Sequence, residues 1–182
     1  MENDNKKTSS KSDYDISIIR PAMKAEQIKL RGTGFSELRL NSIKKGLRTL
    51  HTLELMAQTI YKFQISKDTG ELNRVLIAAM CNEMTHYQDF QVKLLEYNFR
   101  PSIFRWAFWI VGIAIGYISR LKGKKAILKV GIWVETKAVD HYEKLLYSID
   151  WDEDTKAVIE KDQADEFGHI DRWRELLEKQ AD

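Results

Sequence analysis

Four stretches of this chain carry an apolar stripe at helical spacing, and every stripe is broken at mid-length by groups that are costly to bury alone. The first stripe reads Leu40, Ile43, Leu47, Leu50, Glu54, Ala57 and Tyr61, and the second Leu72, Leu76, Ala79, Glu83, His86, Phe90 and Leu94. Steps of three and four place Glu83 and His86 on the buried face. Leu128, Gly131, Glu135, Ala138, Tyr142, Leu145 and Ile149 then repeat the theme of the first, while Ile159, Asp162, Glu166, His169, Trp173 and Leu176 repeat the second. The chain therefore contains Glu followed by Glu-x-x-His twice over, an internal repeat of metal-ligating residue types.

Helices are expected near 36–66, 71–98, 102–120, 124–148 and 153–179, punctuated by Gly70, Pro101, Gly123 and an acidic turn from Ser148 to Asp154. Sparse proline and the lack of alternating β-branched runs make the fold all-α. In two antiparallel hairpins, 36–98 and 124–179, residues equidistant from the turn lie at one height. The midpoint of 54 and 83 falls within Lys67 to Gly70, and that of 135 and 166 within Asp150 to Asp152, so both pairs meet at one level. Four carboxylates and two imidazoles converging inside a bundle repel one another and lose hydration unless cations join them. A Glu from each of two helices plus Glu-x-x-His from each of the other two is the ligand set of di-iron and di-manganese carboxylate bundles, and imidazole favours iron over magnesium or calcium. The candidate metal ligands are thus Glu54, Glu83, His86, Glu135, Glu166 and His169. Asn82 and Asp165, each just before a ligand Glu, are placed to hold the histidine of the opposite helix, with Asp162 as another acceptor.

The third helix is of another kind. Trp106 through Ile118 is apolar on every face, but its thirteen residues fall short of the ~20 that cross a bilayer. Overall charge is nearly balanced, with 29 Lys+Arg against 27 Asp+Glu, yet from Asn98 to Val134 there is no acid, while Glu135 onward carries fifteen acids against seven bases. One end of the fold is basic and apolar, the other acidic. Basic residues interleaved with an apolar run do not make a polar recognition helix, so nucleic acid is not an expected partner. Residues 1–30 read as a polar tail or loosely docked arm, and 31–182 as a single domain. The lone Cys81 forms no intrachain disulfide, and Glu2, Asp4, Asp13, Asp15 and Glu26 are unlike a mitochondrial presequence, which points to a bacterial cytoplasmic setting.

At these residues the chain resembles the di-iron 5-demethoxyubiquinone hydroxylase family of ubiquinone biosynthesis, a branch of the ferritin-like fold, from about Ser36 to Leu177. The family's His-Ala-Gly-Glu, followed by Ile-Tyr and Gln, corresponds to His51-Thr-Leu-Glu54 with Ile60, Tyr61 and Gln64. Arg100-Pro101, Trp106, Gly112, Gly116, Gly123-Lys124-Lys125-Ala126, Val134-Glu135, His141-Tyr142 and Asp165-Glu166 through His169 with Asp171 agree as well. Thr52-Leu53 replaces the family's Ala-Gly, and Leu55-Met56 its Tyr-Gly, both larger near the metal level.

The resemblance implies a ferritin-like four-helix bundle holding two iron ions at the six ligands. The implied activity is a monooxygenase, an oxidoreductase that inserts one atom of dioxygen into the benzoquinone ring of demethoxyubiquinone with two electrons. His141 and Tyr142 match positions near the quinone or its electron route; on residue type alone, Tyr142 is a core aromatic and His141 a partly exposed polar residue. A membrane quinone requires contact with a membrane. The resemblance therefore implies a membrane-facing third helix, flanked by Arg100, Arg105, Arg120, Lys122, Lys124 and Lys125, on an anionic surface at the cytoplasmic face of a bacterial inner membrane. A buried core helix or an oligomer interface is the competing reading of the same run. Alternative functions are a ferritin-like iron-oxidising or iron-handling protein and a hydroxylase of another membrane quinone. No Gly-x-Gly-x-x-Gly and no cysteine cluster occur, so electrons are expected from NADH or a reductase partner. The resemblance allows a lipid-binding ubiquinone-biosynthesis protein and a homo-oligomer as partners, though no residue specifies either.

Overall fold

A computed structural model describes residues 23–180, and these form five α-helices and one short 3-10 turn, Ala25–Gln27, with no strand among the described residues. The helices are α1 (Glu37–Gln64), α2 (Glu71–Glu96), α3 (Arg105–Leu121), α4 (Lys124–Ser148) and α5 (Glu153–Glu178). They are the five expected, with small differences at the ends. Ser36 caps α1 by accepting from the Arg39 amide at 3.3 Å, and Asp152 caps α5 by accepting from the Thr155 amide at 3.2 Å. Gly123, at φ +90°, turns the chain between α3 and α4.

Helices α1 and α2 pack as one hairpin and α4 and α5 as the other; α1 then meets α4, and α2 meets α5. Burial follows the four stripes. Ile43, Leu47, Leu50, Phe90, Leu94, Tyr142 and Ile159 form one apolar cluster with Tyr97 and Trp151, and Ile60, Tyr61, Leu76, Ala79, Leu128, Trp173 and Leu176 contribute to a second. Between these two apolar plugs lie the interrupting charged groups, shielded from water at both ends of the bundle.

Helix α3 lies across α1 and touches α4, and it inverts the usual amphipathic logic. Its buried residues are the small ones, Gly112, Gly116 and Ser119, whereas Trp106, Ile110, Ile118 and Leu121 are each at least half exposed. The run is therefore not a core helix within this chain. A Cβ at Gly116 would stand 2.5 Å from the Ile60 carbonyl oxygen, and one at Gly112 would stand 2.9 Å from that of Met56, so only glycine allows the two backbones this approach. Ser119 accepts from Gln64 Nε2 at 2.8 Å and fixes the register. Gly116→Leu is expected to lift α3 from α1 at a cost of about 1–3 kcal/mol, measured as a lower urea midpoint. An unchanged midpoint would refute the close packing.

Residues 1–22 of the expected tail lie outside the described residues. Beyond them the arm is pinned at Lys29 and Arg31. The Lys29 amide donates to Glu96 at 3.1 Å, and the Arg31 guanidinium reaches Glu96 at 2.7 Å, Asp152 at 2.5 Å and Asp154 at 2.9 Å. One cation thus ties the end of α2 to the start of α5.

Candidate metal centre

Each of the six candidate ligands sits mid-helix on a buried stripe, and the bundle brings all six to one place. Glu54, Glu83, His86, Glu135 and Glu166 are essentially inaccessible, and the His169 side chain is 12% exposed. Their donor atoms form two groups that could hold a metal ion. One is Glu54, Glu83, His86 and Glu166; the other is Glu83, Glu135, Glu166 and His169, the donor atoms within each lying no more than 4.8 Å apart. Glu83 and Glu166 belong to both, so they stand between two positions, each completed by one further Glu and one His. Nδ1 of His86 lies 3.1 Å from Glu166 and 3.7 Å from Glu54, and Nδ1 of His169 lies 3.3 Å from Glu83 and 3.5 Å from Glu135.

These contacts are close without having hydrogen-bond geometry. Both oxygens of Glu83 and of Glu166, Oε2 of Glu135 and the Nδ1 atoms of both histidines are buried without a hydrogen-bond partner. Each such atom costs about 1–3 kcal/mol if left unmatched, more when charged, so seven of them at one spot are the signature of donors aimed at cations. Two divalent ions fit this donor set in number, type and position.

Left to themselves, the protein groups compete for protons. Burial, then the charges of Glu166 and Glu135, raises the Glu83 pKa well above the carboxylate range, and burial with Glu166 pushes Glu135 up to about 8. Glu166 goes the other way. Its burial is outweighed by contact with His169 and His86, which pulls it down to about 2. Burial would lower both imidazoles, but Glu166 and Glu54 hold His86 far above its usual value, and Glu135, Glu166 and Glu83 push His169 up to about 12.

The flanking groups are arranged with a twofold character. His86 Nε2 lies 3.2 Å from Asp165 Oδ2, and His169 Nε2 lies 3.0 Å from Asn82, so each residue preceding a Glu shared by the two donor groups meets the histidine of the opposite hairpin. With an ion on Nδ1, Nε2 would carry the proton; Asp165 is placed to accept it, whereas the Asn82 atom facing His169 is Nδ2, so Asn82 would accept only with its amide turned to present Oδ1. Asp162 is buried 3.9 Å from His86 Nε2, and burial raises its pKa to about 6 against the opposing pull of His86 and Lys161.

Two tyrosines complete the ring. Tyr142 donates its hydroxyl to Glu54 at 2.8 Å, and Tyr61 donates to Glu135. Burial, followed by the adjacent carboxylates, holds both phenols well above their usual pKa, so they remain protonated donors. The sequence carries a signal for this exchange that the stripes alone did not reveal: Tyr61 follows Glu54 by seven residues, and Tyr142 follows Glu135 by the same seven. His51 lies apart from the donor cluster. Its Nε2 meets Gln91 at 3.1 Å, and burial lowers its pKa to about 4.

A cavity of about 190 Å³ reaches Glu54 from the side of α1 and α4, walled by Leu53, Met56, Trp133, Ala138 and His141. It shares Leu53 and His141 with an outer cleft of about 770 Å³ lined by Phe104, Phe108, Lys44, Lys45 and Arg48. His141 is exposed, with Nδ1 2.7 Å from the Lys137 carbonyl. That contact requires a proton on Nδ1 and leaves Nε2 free as an acceptor in the neutral ring.

Among known proteins, the sequence model of the family described as Ubiquinone biosynthesis protein COQ7 matches residues 41–181. A Dictyostelium discoideum protein, the mitochondrial NADPH-dependent 3-demethoxyubiquinone 3-hydroxylase, is 30% identical over 139 residues, which cover 74% of this chain and 64% of the relative. The chain therefore matches somewhat less than two thirds of that relative's length. The family match takes in all six candidate ligands, α2 to α5 and all but the first four residues of α1. The chain belongs to the COQ7 family of ubiquinone biosynthesis proteins.

Proposed function

We propose that this protein is a di-iron hydroxylase that adds one oxygen atom to the benzoquinone ring of a demethoxyubiquinone. The observation that carries the reading is the pair of buried donor groups sharing Glu83 and Glu166, in a chain of this family. In the balanced reaction a ring C–H, dioxygen, two electrons and two protons give the ring C–OH and water. The relative's name supplies NADPH as a candidate source of the electrons; a reductase partner is the other.

Glu54 and His86 would hold one ion, Glu135 and His169 the other, with Glu83 and Glu166 between them. When bound, two irons supply the redox chemistry that activates dioxygen. The protein's part is placement. Tyr142 and Tyr61 fix the outer carboxylates by donating to Glu54 and Glu135, while Asp165 and Asn82 orient the imidazoles. Leu53, Met56, Trp133 and Ala138 exclude water from the cavity beside Glu54 and present an apolar wall to a quinone ring. Leu53 and Met56 stand where the resemblance puts smaller glycines, so this cavity is the narrower for them. The free Nε2 of His141 would accept a hydrogen bond from a ring hydroxyl at the mouth. Quinone mass spectrometry on cells lacking their own hydroxylase tests the proposal. Mature ubiquinone is expected when this protein is supplied, and persistent demethoxyubiquinone with iron-loaded protein would instead favour an iron-handling role.

The quinone's membrane location gives α3 its role. Among the described residues no helix is long and apolar enough to cross a membrane. Helix α3 instead turns Trp106, Ile110, Val111, Tyr117 and Ile118 outward, beside Arg105, Arg120 and Lys122, and Phe104 and Phe108 at its start line the outer cleft. That combination suits a helix lying in the interface of an anionic membrane, with the cleft opening toward the lipid. Ile110→Asp is expected to lower partitioning onto anionic vesicles by roughly tenfold or more, given about 1.5–3 kcal/mol for a buried Ile side chain, with metal content unchanged. Unaltered partitioning would assign this face to a second copy or another protein.

A further inference from the structure

Substrate and metal face opposite problems in reaching this centre. From Asn98 to Val134, the segment that forms α3 and the first part of α4, the chain has only basic charges, and the mouth of the outer cleft adds Lys44, Lys45 and Arg48. A divalent cation is repelled on that side. The α2–α5 face is different. There His86 Nε2, Asp162 and Asp165 form a third group of donor atoms lying within 4.8 Å of one another, just outside the paired site. Asp89 adds a further carboxylate, whose oxygen lies 3.5 Å from the Lys161 ammonium.

Asp162 is the unusual member. Its side chain is fully buried, one oxygen lies 3.9 Å from His86 Nε2, and the other has no hydrogen-bond partner. Asp165, by contrast, is 47% exposed and lies 3.2 Å from the same nitrogen. His86 Nε2 is therefore flanked by an exposed carboxylate and by a buried, incompletely satisfied one. Lys161, itself 57% exposed, places its ammonium 3.0 Å from Asp162 and neutralises part of this charge from a flexible stem.

We infer that His86, Asp162 and Asp165 form an entry site that captures a divalent cation on the α2–α5 face and passes it to the paired site within. The inference rests on the two-metal reading of the inner site. The His86 ring separates the two places, with Nε2 outward and Nδ1 inward. An incoming ion displaces a proton from the ring, and the neutral imidazole left behind offers one lone pair, so it serves the outer group or the inner one, not both. Once Nδ1 holds an inner ion, Nε2 keeps its proton for Asp165 and the entry site loses its nitrogen ligand. The outer site is thus used during loading and closes afterward, and the loaded capacity remains two. Lys161 is displaced by the incoming ion.

The test is anaerobic stopped-flow uptake of Co²⁺ by the metal-free full chain, followed by visible absorption, with final content by elemental analysis. Lys161→Gln is expected to speed uptake by roughly threefold or more, and Asp162→Asn and Asp165→Asn to slow it by roughly tenfold, with wild type reaching two ions. Faster loading after loss of a surface lysine is a result that a purely orienting role for the aspartates does not produce. Lys161 and Asp165 are exposed, so their variants keep the test decisive if Asp162→Asn fails to fold. Wild-type rates in Lys161→Gln and Asp165→Asn, or lower capacity at an unchanged rate, overturn the entry site while leaving the paired site standing. Fewer than two ions in the wild type overturns both.

Discussion

Replacing Glu83 or Glu166 with alanine is expected to release both metal ions at once, because each carboxylate belongs to both donor groups. Glu54→Ala or His169→Ala should instead weaken one position first, since Glu54 and His169 each belong to only one group. Loss of the ions removes several kcal/mol of transition-state stabilisation, which at about 1.4 kcal/mol per tenfold lowers turnover roughly a thousandfold or more. The measurements are metal content by elemental analysis and the rate of quinone hydroxylation. Tyr142→Phe is the control on the same ring: it removes a hydroxyl that orients Glu54 and leaves every donor atom in place, so metal content should remain. Two ions retained by Glu83→Ala would contradict the shared position of that residue.

Stripping the metal should destabilise the protein strongly, and more so as pH rises. Two sites, each with free ion at about a hundred times its Kd, contribute about 5 kcal/mol together, which for a chain of 182 residues corresponds to a fall in Tm of roughly 10–20 °C. The sign of the pH effect follows from the shifts. Glu135 is raised from 4.5 to about 8, so its preference for the folded state is present at low pH and is lost as pH rises through that window; Glu83, also raised, acts in the same direction. His169 is raised from 6.5 to about 12, so its contribution is complete below 6.5 and is lost as pH rises toward 12. Glu166, lowered to about 2, contributes fully above the ordinary carboxylate range and loses that only in acid. Between about pH 6 and pH 8 the metal-free protein therefore weakens while metal binding, which displaces protons, strengthens. Thermal melts of loaded and chelated protein should draw apart across that interval. A gap that narrows with pH would show that the ions do not compete with protons at these residues.

Much of this arrangement was legible in the sequence because the four stripes share one logic. An acid within an apolar helical face must meet a partner inside, and the spacing of Glu54, Glu83, Glu135 and Glu166 about two turns sets the height at which they meet. Asn82 and Asp165 were readable for the same reason, since a residue next to a buried ligand on a helix points toward the neighbouring hairpin. What escaped depends on contacts between elements. The exchange of Tyr61 and Tyr142 across α1 and α4 needs the interhelical distance as well as each helix's own period. Composition described α3 as apolar all round, but only packing reveals that its glycines face α1 and its large side chains face outward. The pinning of Arg31 by Glu96, Asp152 and Asp154 joins residues more than sixty positions apart and has no periodic signature.

The central claim, that this centre puts an atom of dioxygen onto a quinone ring, is tested most directly with isotopic oxygen. Iron-loaded protein is mixed with a short-chain demethoxyubiquinone, a chemical reductant and ¹⁸O₂ in ordinary water, and the product is weighed by mass spectrometry. One ¹⁸O atom in the hydroxylated ring is the predicted result. Iron oxidation without any hydroxylated quinone, or a product whose new oxygen comes from water, would contradict it.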